Sequence, residues 1–334
     1  MEKTRFRIGE VLFDPEKGRG IFTYDLVNEG RKYSFKDEIS FPIPQHIPPD
    51  TALRPLLDAL AVLFGISYWK LFAPEDIELS SIHLTPKQAD FWNTVYTIGL
   101  GEFYYKNKLD FRNKRFFAPT IKHESPATAF PRKNRSLLLL GGGKDSIFAG
   151  ELLKKWKEPF DAFIVNPTPL QIKVAKAMDA QAITITHNID PQLFELNKRP
   201  DVFNGHIPIS LTYTFLGVLA ALLYNYKFVI ASNEASANYG NVKYLGKTIN
   251  HQWSKTEEVE QMAQDYIRRY ITPDTTYFSL LRPFSEVEIA ERFSNHPHYF
   301  DVFSSCNRNF QITPGATMPK GLWCNSCPKC AFVF

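Results

Sequence analysis

The sequence has 334 residues, more than one average domain, and 44% of them are hydrophobic, so the chain can bury a sizeable core. Its net charge of +4 is modest and spread along the chain, which permits an anionic substrate but does not argue for nucleic acid as a partner, and we expect none. The first residues lack the apolar core of a signal peptide and no stretch reaches membrane-spanning length, so we expect a cytoplasmic protein without a membrane partner.

Three short strands are predicted in the first part of the chain, over residues 6–13, 20–26 and 32–41. Apolar and aromatic residues alternate with charged ones in these stretches, and Asp14-Pro15 and Asn28-Glu29-Gly30 supply turns. The pattern indicates a small antiparallel sheet or a pair of hairpins.

Two helices are predicted next. Apolar residues recur at helical spacing over 53–64, and Thr85-Pro86 followed by Gln88 opens a second helix. Residues 118–135 contain three prolines among polar residues and form the best linker candidate. We therefore predict an N-terminal α+β region over residues 1–130, with substrate recognition as its suggested role, and a second domain over residues 131–334.

The second domain alternates strands with helices. Strands are predicted at 136–140, 160–165, 182–186 and 228–231, with helices at 147–156, 170–178 and 209–224 between them. This alternation indicates an α/β fold, a parallel sheet with helices on both faces, in which ligands bind at the carboxyl ends of the strands.

A glycine loop follows the first of these strands. Four leucines, Leu137 to Leu140, read as a buried strand, and Gly141, Gly142 and Gly143 allow a ligand to approach bare backbone. Lys144, Asp145 and Ser146 then open a helix, whose N-terminus attracts anions.

Three kinds of phosphate-binding loop have sequences related to this stretch. A Walker loop requires Ser or Thr after its lysine, whereas Asp145 follows Lys144, and a dinucleotide fingerprint requires an acid at the end of the next strand, where Asn166 stands. The stretch resembles the Ser-Gly-Gly-x-Asp-Ser loop of the PP-loop ATP pyrophosphatases, with Gly141 in place of the first serine. That resemblance implies cleavage of ATP to AMP and pyrophosphate.

The loop residues suit ATP chemistry. The glycine N–H groups and Ser146 would hold phosphates, Lys144 would neutralise charge, and Asp145 would hold Mg²⁺ between phosphate oxygens. The ends of the later strands add Asn166, placed to meet adenine or ribose, and Asn233 and Glu234. The last two begin a polar run that is either a solvated loop or, as we favour, a ligand-facing loop.

Two histidines are candidates for acid–base work or substrate contact. His206 stands just before the helix over 209–224, where Ser210 could instead cap the helix beside an exposed histidine. His251 lies in a second polar stretch.

All four cysteines lie near the end of the chain: Cys306, then Cys324, Cys327 and Cys330 in C-x₂-C-x₂-C spacing. Such a set suits a structural Zn²⁺ that fixes the C-terminal segment to the sheet. An iron–sulfur cluster and free or catalytic thiols remain alternatives, and Cys306 is the thiol that could act as a base.

The whole chain resembles the family of ATP-dependent UDP-N-acetylmuramoyl-L-alanyl-L-glutamate epimerases of bacterial wall synthesis. The stretches that carry this resemblance are Gly-Ile-Ser-Tyr-Trp-Lys (65–70), Gly-Gly-Gly-Lys-Asp-Ser (141–146), Ser-Asn-Glu-Ala-Ser-Ala-Asn (232–238), Ser-Cys-Asn-Arg-Asn-Phe (305–310) and Cys-Pro-Lys-Cys-Ala-Phe (327–332). The chain departs from the expected pattern in ending four residues after Cys330, where further residues are expected.

This resemblance implies a reaction. ATP adenylates the α-carboxylate of the terminal L-glutamate of UDP-MurNAc-L-Ala-L-Glu, a base removes the α-proton, a proton returns on the opposite face, and water releases AMP. The sequence does not identify the base; Cys306, His206 and His251 are candidates. The substrate would be a small molecule, and the oligomeric state is not specified.

Two other functions are compatible with the sequence. One is that of a 7-cyano-7-deazaguanine synthase-like ligase, which also adenylates a carboxylate but lacks the long N-terminal region. The other is that of a nucleotide-binding zinc protein without turnover. A tRNA-thiolating enzyme is disfavoured, because no basic stripe for RNA is visible.

Overall fold

A computed structural model describes residues 3–122, 126–240, 242–310 and 321–333. Its helices and strands, in chain order, are β1 Arg5–Asp14, β2 Arg19–Asn28, β3 Arg31–Ser40, α1 Asp50–Trp69, β4 Asp76–Leu79, α2 Pro86–Thr97, α3 Gly101–Asn107, β5 Ser136–Leu139, α4 Lys144–Lys155, β6 Phe160–Val165, α5 Pro169–Ala177, β7 Ala182–Asn188, α6 Gln192–Leu196, α7 Ile209–Tyr224, β8 Phe228–Ala231, β9 Val242–Tyr244, β10 Lys247–Ile249, α8 Glu257–Tyr266, β11 Thr276–Ser279, α9 Glu286–Phe293 and α10 Pro328–Val333.

One nine-stranded sheet, in the order β11-β8-β5-β6-β7-β3-β2-β1-β4, runs through the molecule. The strands from β11 to β7 are mutually parallel, whereas β3, β2 and β1 form an antiparallel meander. The predicted α/β class and the predicted N-terminal antiparallel strands are confirmed.

The two kinds of sheet join at β3 and β7. These strands pair antiparallel, with Ile39 opposite His187 and Ser40 opposite Thr186. The N-terminal strands therefore extend the parallel sheet, and the division of the chain at residue 130 stays a prediction. The predicted linker contains no helix or strand in its described residues, 118–122 and 126–135, and residues 123–125 lie outside the described part.

Helix α7 is apolar on nearly all its faces, because it lies between the parallel strands and α1. Gly217 lets it approach the sheet closely: a Cβ there would lie 2.9 Å from both Leu139 Cδ2 and Val229 Cγ1. This close approach sets the position of the first turns of α7 at the carboxyl end of the sheet.

Helix α1 corrects one expectation from the sequence. It is long and apolar enough, by length and composition, to cross a membrane, although no stretch of that kind was expected. However, 78% of its most apolar window is buried inside the protein. Its leucines pack on α7 and on the N-terminal strands, as in the core helix of a globular protein.

Side-chain caps fix several helix starts. Thr85 with Gln88 and Ser285 with Glu288 form capping boxes, the first at the predicted start of α2. Ser210 is not a cap, and the prediction that offered this role is wrong: α7 begins at Ile209, after Pro208, so Ser210 lies inside the first turn.

Candidate active site

A cavity of about 420 Å³ lies at the carboxyl ends of β5, β6 and β8, where parallel sheets bind ligands. The glycine loop forms one side, the first turns of α7 another, and residues near the cysteines a third. The polar and glycine residues that line it are Gly141, Gly143, Lys144, Asp145, Ser146, Gln171, Ser210, Tyr213, Thr214, Ser232, Asn233, Lys255, Tyr277, Ser304, Ser305 and Lys329.

The glycine loop has the geometry of an anion cradle. Gly142 has a φ of +87°, and a Cβ there would lie 2.6 Å from Leu170 Cδ2, so the position requires glycine. The Gly142 N–H donates to Ser146 Oγ at 3.2 Å, and Ser146 Oγ donates to the Gly143 carbonyl at 3.1 Å. The Ser146 hydroxyl thus braces the loop in addition to lining the cavity.

Helix α4 begins directly at this loop. Its N-cap residue, Gly143, has no side chain with which to bond the first turn. The backbone N–H of Lys144 donates to Ser305 Oγ at 3.2 Å, while the N–H groups of Asp145 and Ser146 have no hydrogen-bond acceptor among the described residues. The positive end of the helix dipole is therefore available to an anion in the cavity.

A charged network holds Lys144 in place. The residue is 1% exposed, and its Nζ lies 2.6 Å from Asp145 Oδ1 and 3.4 Å from Glu286 Oε1. Lys329 forms an ion pair with the same Glu286 oxygen. Desolvation raises the pKa of Glu286, but the hydrogen bond and charge of Lys329, together with Lys144, outweigh this and keep the pKa below its ordinary value.

Lys255 brings a third amine to the cavity. The residue follows Trp253 and Ser254 in a short 3₁₀ turn and lines the cavity with a large fraction of its surface exposed. The pKa of Lys255 lies below its ordinary value, mainly because of desolvation, against the opposing charge of Asp145.

The predicted residues at the other strand ends divide into two groups. Asn233 lines the cavity, and its Nδ2 donates to Ser279 Oγ at 2.9 Å. Neighbouring Ser232 has a buried Oγ without a hydrogen-bond partner, so a polar atom at the cavity wall is free to meet a ligand. The structure thus brings Asn233 to the glycine loop, as the parallel topology requires.

Asn166 and Glu234 do not line the cavity. The Asn166 side chain bridges to β7, with Nδ2 donating to the His187 carbonyl at 3.0 Å and Oδ1 accepting from the His187 N–H at 2.6 Å. The Glu234 carboxylate accepts a hydrogen bond from the Ser236 N–H and so caps a 3₁₀ turn. Their nucleotide-binding roles stay predictions.

The two candidate histidines also lie outside the cavity wall. His206 Nδ1 is 3.9 Å from Glu102 Oε2, and desolvation lowers the pKa of His206 despite that carboxylate. His251 is exposed, with its Nε2 3.3 Å from the side-chain amide of Gln252. Neither histidine lines the cavity with the loop, and their proposed roles stay predictions.

The four cysteines converge. Their Sγ atoms lie within 4.8 Å of one another, including separations of 3.5 Å (Cys327–Cys330), 3.8 Å (Cys324–Cys330) and 4.0 Å (Cys327–Cys306). Four sulfurs bound tetrahedrally at the usual zinc–sulfur distance of about 2.3 Å lie about 3.8 Å apart. The group can therefore bind one metal ion such as zinc, and Cys306, which is buried within it, is placed as a ligand.

The cysteine group adjoins the glycine loop. The Ser304 N–H donates to the Gly142 carbonyl at 3.2 Å, and Ser304 Oγ donates to the Leu322 carbonyl at 2.6 Å. Lys329 lies between Cys327 and Cys330 in the sequence and reaches the cavity wall. The chain segments that carry the cysteines thus supply cavity residues.

Sequence reasoning missed several residues of this site: Tyr213, Lys255, Glu286, Ser305 and Lys329. Ser305 and Lys329 had a usable signal, because each is next to a cysteine of the set. Tyr213 lies in an apolar helix, and Lys255 and Glu286 lie in segments without a recognised motif, so only the folded chain reveals them.

Comparisons with known proteins give a consistent assignment. The family model described as MurL N-terminal domain matches residues 1–280, and that described as MurL C-terminal domain matches residues 302–334. Three similar proteins are each described as a UDP-N-acetyl-alpha-D-muramoyl-L-alanyl-L-glutamate epimerase. They come from Xanthomonas oryzae pv. oryzae, a Micromonospora strain and Salinispora tropica.

The Xanthomonas protein is 37% identical over 85% of this chain, and the other two are each 35% identical over 98% of it. The chain spans 62% of the length of the Xanthomonas protein, 73% of the Micromonospora protein and 72% of the Salinispora protein. A solved structure of a predicted tRNA methyltransferase subunit from Methanocaldococcus jannaschii is 19% identical, with a TM-score of 0.31 over 49% of this chain and 76% of that one. That likeness is too low to support a functional argument.

Proposed function

Because the chain belongs to the MurL family, we propose that it converts the terminal L-glutamate of UDP-MurNAc-L-Ala-L-Glu to D-glutamate in an ATP-dependent reaction. The three similar proteins carry the name of this epimerase. The product would serve the synthesis of peptidoglycan precursors, which is consistent with a small-molecule substrate and a cytoplasmic location.

The observation that carries the proposal is the joining of a glycine loop, an uncapped helix N-terminus and two ion-paired lysines, Lys144 and Lys329, around one cavity. Positive charges and free N–H groups at a strand–loop–helix junction are suited to a polyphosphate. A cavity of about 420 Å³ falls in the range of small-molecule sites. ATP is the polyphosphate that the loop sequence favours.

Each loop residue has a physical role in adenylation. The N–H groups of Asp145 and Ser146 would hold phosphate oxygens, and the buried Lys144 would neutralise the charge of the departing pyrophosphate. The Asp145 carboxylate, beside that lysine, would hold Mg²⁺, which would supply positive charge to stabilise the phosphates. These groups favour attack by a substrate carboxylate on the α-phosphorus.

Adenylation prepares the substrate for epimerisation. A free carboxylate opposes the formation of a carbanion at the neighbouring α-carbon, because two negative charges would lie together. The mixed anhydride with AMP carries no charge on the carboxyl group, so the α-proton becomes more acidic. Pyrophosphate has already left in the adenylation step, so removal and return of the proton, followed by hydrolysis, gives AMP and the D-glutamyl product.

Zinc at the four cysteines would act structurally. The metal would hold residues 321–333 against the segment around Cys306, and these segments supply Ser305 and Lys329 to the cavity. A ligand role for Cys306 excludes the same sulfur from acting as a free base.

The proposal is tested with Asp145→Asn. The variant keeps the size of the side chain but loses the charge that would hold Mg²⁺, so pyrophosphate release should fall by about 100-fold or more. Exposed Asp179→Asn is the matched control and should release pyrophosphate at the wild-type rate. Equal rates in the wild type and in Asp145→Asn, or no release by the wild type, would contradict the adenylation chemistry.

A further inference from the structure

Lys255 differs from the other lysines of the cavity. Lys144 and Lys329 both pair with Glu286, whereas Lys255 Nζ has no hydrogen-bond or ion-pair partner in the described parts of the chain. The two paired amines are held as cations for an anionic ligand. The third is free to exchange a proton with a bound molecule.

The backbone of Lys255 is fixed although its amine is free. Arg282 Nη2 donates to the Lys255 carbonyl at 2.9 Å and pairs with Glu260 Oε2 at 2.7 Å. The Lys255 N–H donates to the Gln252 carbonyl at 2.7 Å, and the next residue, Thr256, caps α8. An anchored backbone with a free side-chain end is what a proton-transfer group requires.

Tyr213 reaches the same cavity from another element. It lies in the second turn of α7, and its hydroxyl has no hydrogen-bond partner among the residues that the structure describes. Desolvation raises the pKa of Tyr213, so the phenol keeps its proton at neutral pH. The 3₁₀ turn that carries Lys255 packs against α7, so the two side chains come from adjacent but separate elements.

We propose that Lys255 and Tyr213 are the two groups that move the proton at the α-carbon of the substrate, Lys255 as the base and Tyr213 as the acid. This inference rests on the proposed epimerase function. Inversion requires the proton to leave one face of the carbon and a proton to arrive at the other, and two groups from separate elements can flank one carbon.

Every proton and electron pair in this transfer has a source and a destination. The neutral Lys255 amine takes the α-proton, and the electron pair of the C–H bond passes into the enolate of the acyl adenylate. The Tyr213 hydroxyl then gives its proton to the α-carbon as the enolate electrons form the new C–H bond. The resulting ammonium and phenolate return to their starting states when a proton passes from Lys255 to Tyr213 through water.

The surroundings of Lys255 favour this role. Desolvation and the charge of Lys329 favour the neutral form of Lys255, while the charges of Asp145, Glu234 and Glu286 favour its ammonium form. The first two effects are the larger, because the pKa of Lys255 lies below its ordinary value. The positive charge of Lys255 also acts on His206, whose pKa it lowers. A lysine with a lowered pKa is neutral more often at a given pH, and so more available as a base, than a lysine with an ordinary pKa.

The test separates adenylation from proton transfer. Lys255→Arg keeps a positive charge but cannot serve as a base, and Tyr213→Phe removes only the hydroxyl. Each purified variant is incubated with UDP-MurNAc-L-Ala-L-Glu, ATP and Mg²⁺ in D₂O, and AMP, D-glutamate and deuterium at the α-carbon are measured. Exposed Lys247→Arg is the matched control for the lysine change.

We expect both variants to form AMP within about threefold of the wild type and to lose D-glutamate formation by about 100-fold or more. Tyr213→Phe should still place deuterium in unreacted L-substrate, because Lys255 can remove and return a proton on one face. Lys255→Arg should lose this exchange as well. Lys247→Arg should match the wild type in all three measurements.

Three results would overturn the inference. Lys255→Arg could epimerise at the wild-type rate, or it could lose AMP formation together with inversion, which would assign Lys255 to ATP chemistry. Tyr213→Phe could epimerise normally, which would remove Tyr213 from the pair. A wild type that forms neither AMP nor D-glutamate would instead contradict the proposed function, and the inference would fail with it.

Discussion

The backbone N–H of Lys144 donates a hydrogen bond to the hydroxyl of Ser305 over 3.2 Å, although the two residues are 161 positions apart in the sequence. The contact joins the start of α4 to the residue that precedes Cys306. A Cβ on Gly143 would lie 3.0 Å from the same hydroxyl, so the two segments approach as closely as a glycine allows. The glycine loop and the cysteine group are therefore parts of one site.

Metal removal should weaken nucleotide binding. We expect about one zinc per chain, and its removal with a chelator should release the segments that carry Ser305 and Lys329 from the cavity. The loss of contacts to charged groups predicts ATP binding weaker by about tenfold or more, measured by calorimetry.

The control for metal removal is Lys329→Met. This variant should keep its zinc, because all four cysteines remain, while it loses one cation at the cavity wall and therefore part of its ATP affinity. Unchanged ATP affinity after complete loss of the metal would contradict the structural role.

Two glycines of the loop should respond differently to alanine. Gly142→Ala forces an alanine into a φ of +87° and against Leu170, so the free energy of unfolding should fall by about 1–3 kcal/mol. Gly141→Ala has open space around its Cβ and should change that free energy by less than about 0.5 kcal/mol. Urea unfolding of both variants measures the difference, and equal destabilisation would argue against this loop conformation.

Asp58 on α1 should make stability depend on pH. Desolvation raises its pKa from 3.8 to about 6, although the charge of Arg54 acts to lower it. Arg54 Nε lies 2.9 Å from Asp58 Oδ1 in an ion pair without good hydrogen-bond alignment. The folded protein therefore keeps a proton that the unfolded chain has released between these pH values. The contribution of Asp58 to stability should fall as the pH rises through this window, by at most about 3 kcal/mol.

Asp58→Asn should remove that dependence. Between about pH 4 and pH 6 its free energy of unfolding should fall less, or rise more, than that of the wild type, because the amide does not titrate. Exposed Asp179→Asn serves as the control and should retain the wild-type slope. Equal slopes in Asp58→Asn and in the wild type would contradict the raised pKa.

Local patterns predicted much of the fold. The buried runs of β6 and α7 were placed at their observed bounds, Phe160–Val165 and Ile209–Tyr224, because their apolar stretches end at clear polar or turn residues. The glycine loop was also placed correctly between β5 and α4. Each of these signals lies within a few residues of the structure that it predicts.

Contacts between distant segments could not be predicted in this way. The pairing of β3 with β7 joins residues about 150 positions apart, and neither strand contains a sequence pattern that identifies its partner. Lys255 reaches the cavity because a 3₁₀ turn and Arg282 position it, and no periodicity reveals either feature. Asn166 follows its strand as expected, but a positive φ and two hydrogen bonds direct its amide to β7.

ATP-dependent epimerisation is measured most directly by the ratio of D-glutamate to AMP that the purified protein forms from UDP-MurNAc-L-Ala-L-Glu, ATP and Mg²⁺. We expect both products to form, with AMP accumulating at least as fast as D-glutamate, and neither to form without ATP. AMP without D-glutamate would leave adenylation standing and contradict epimerisation. D-glutamate formed without ATP would contradict the adenylate route.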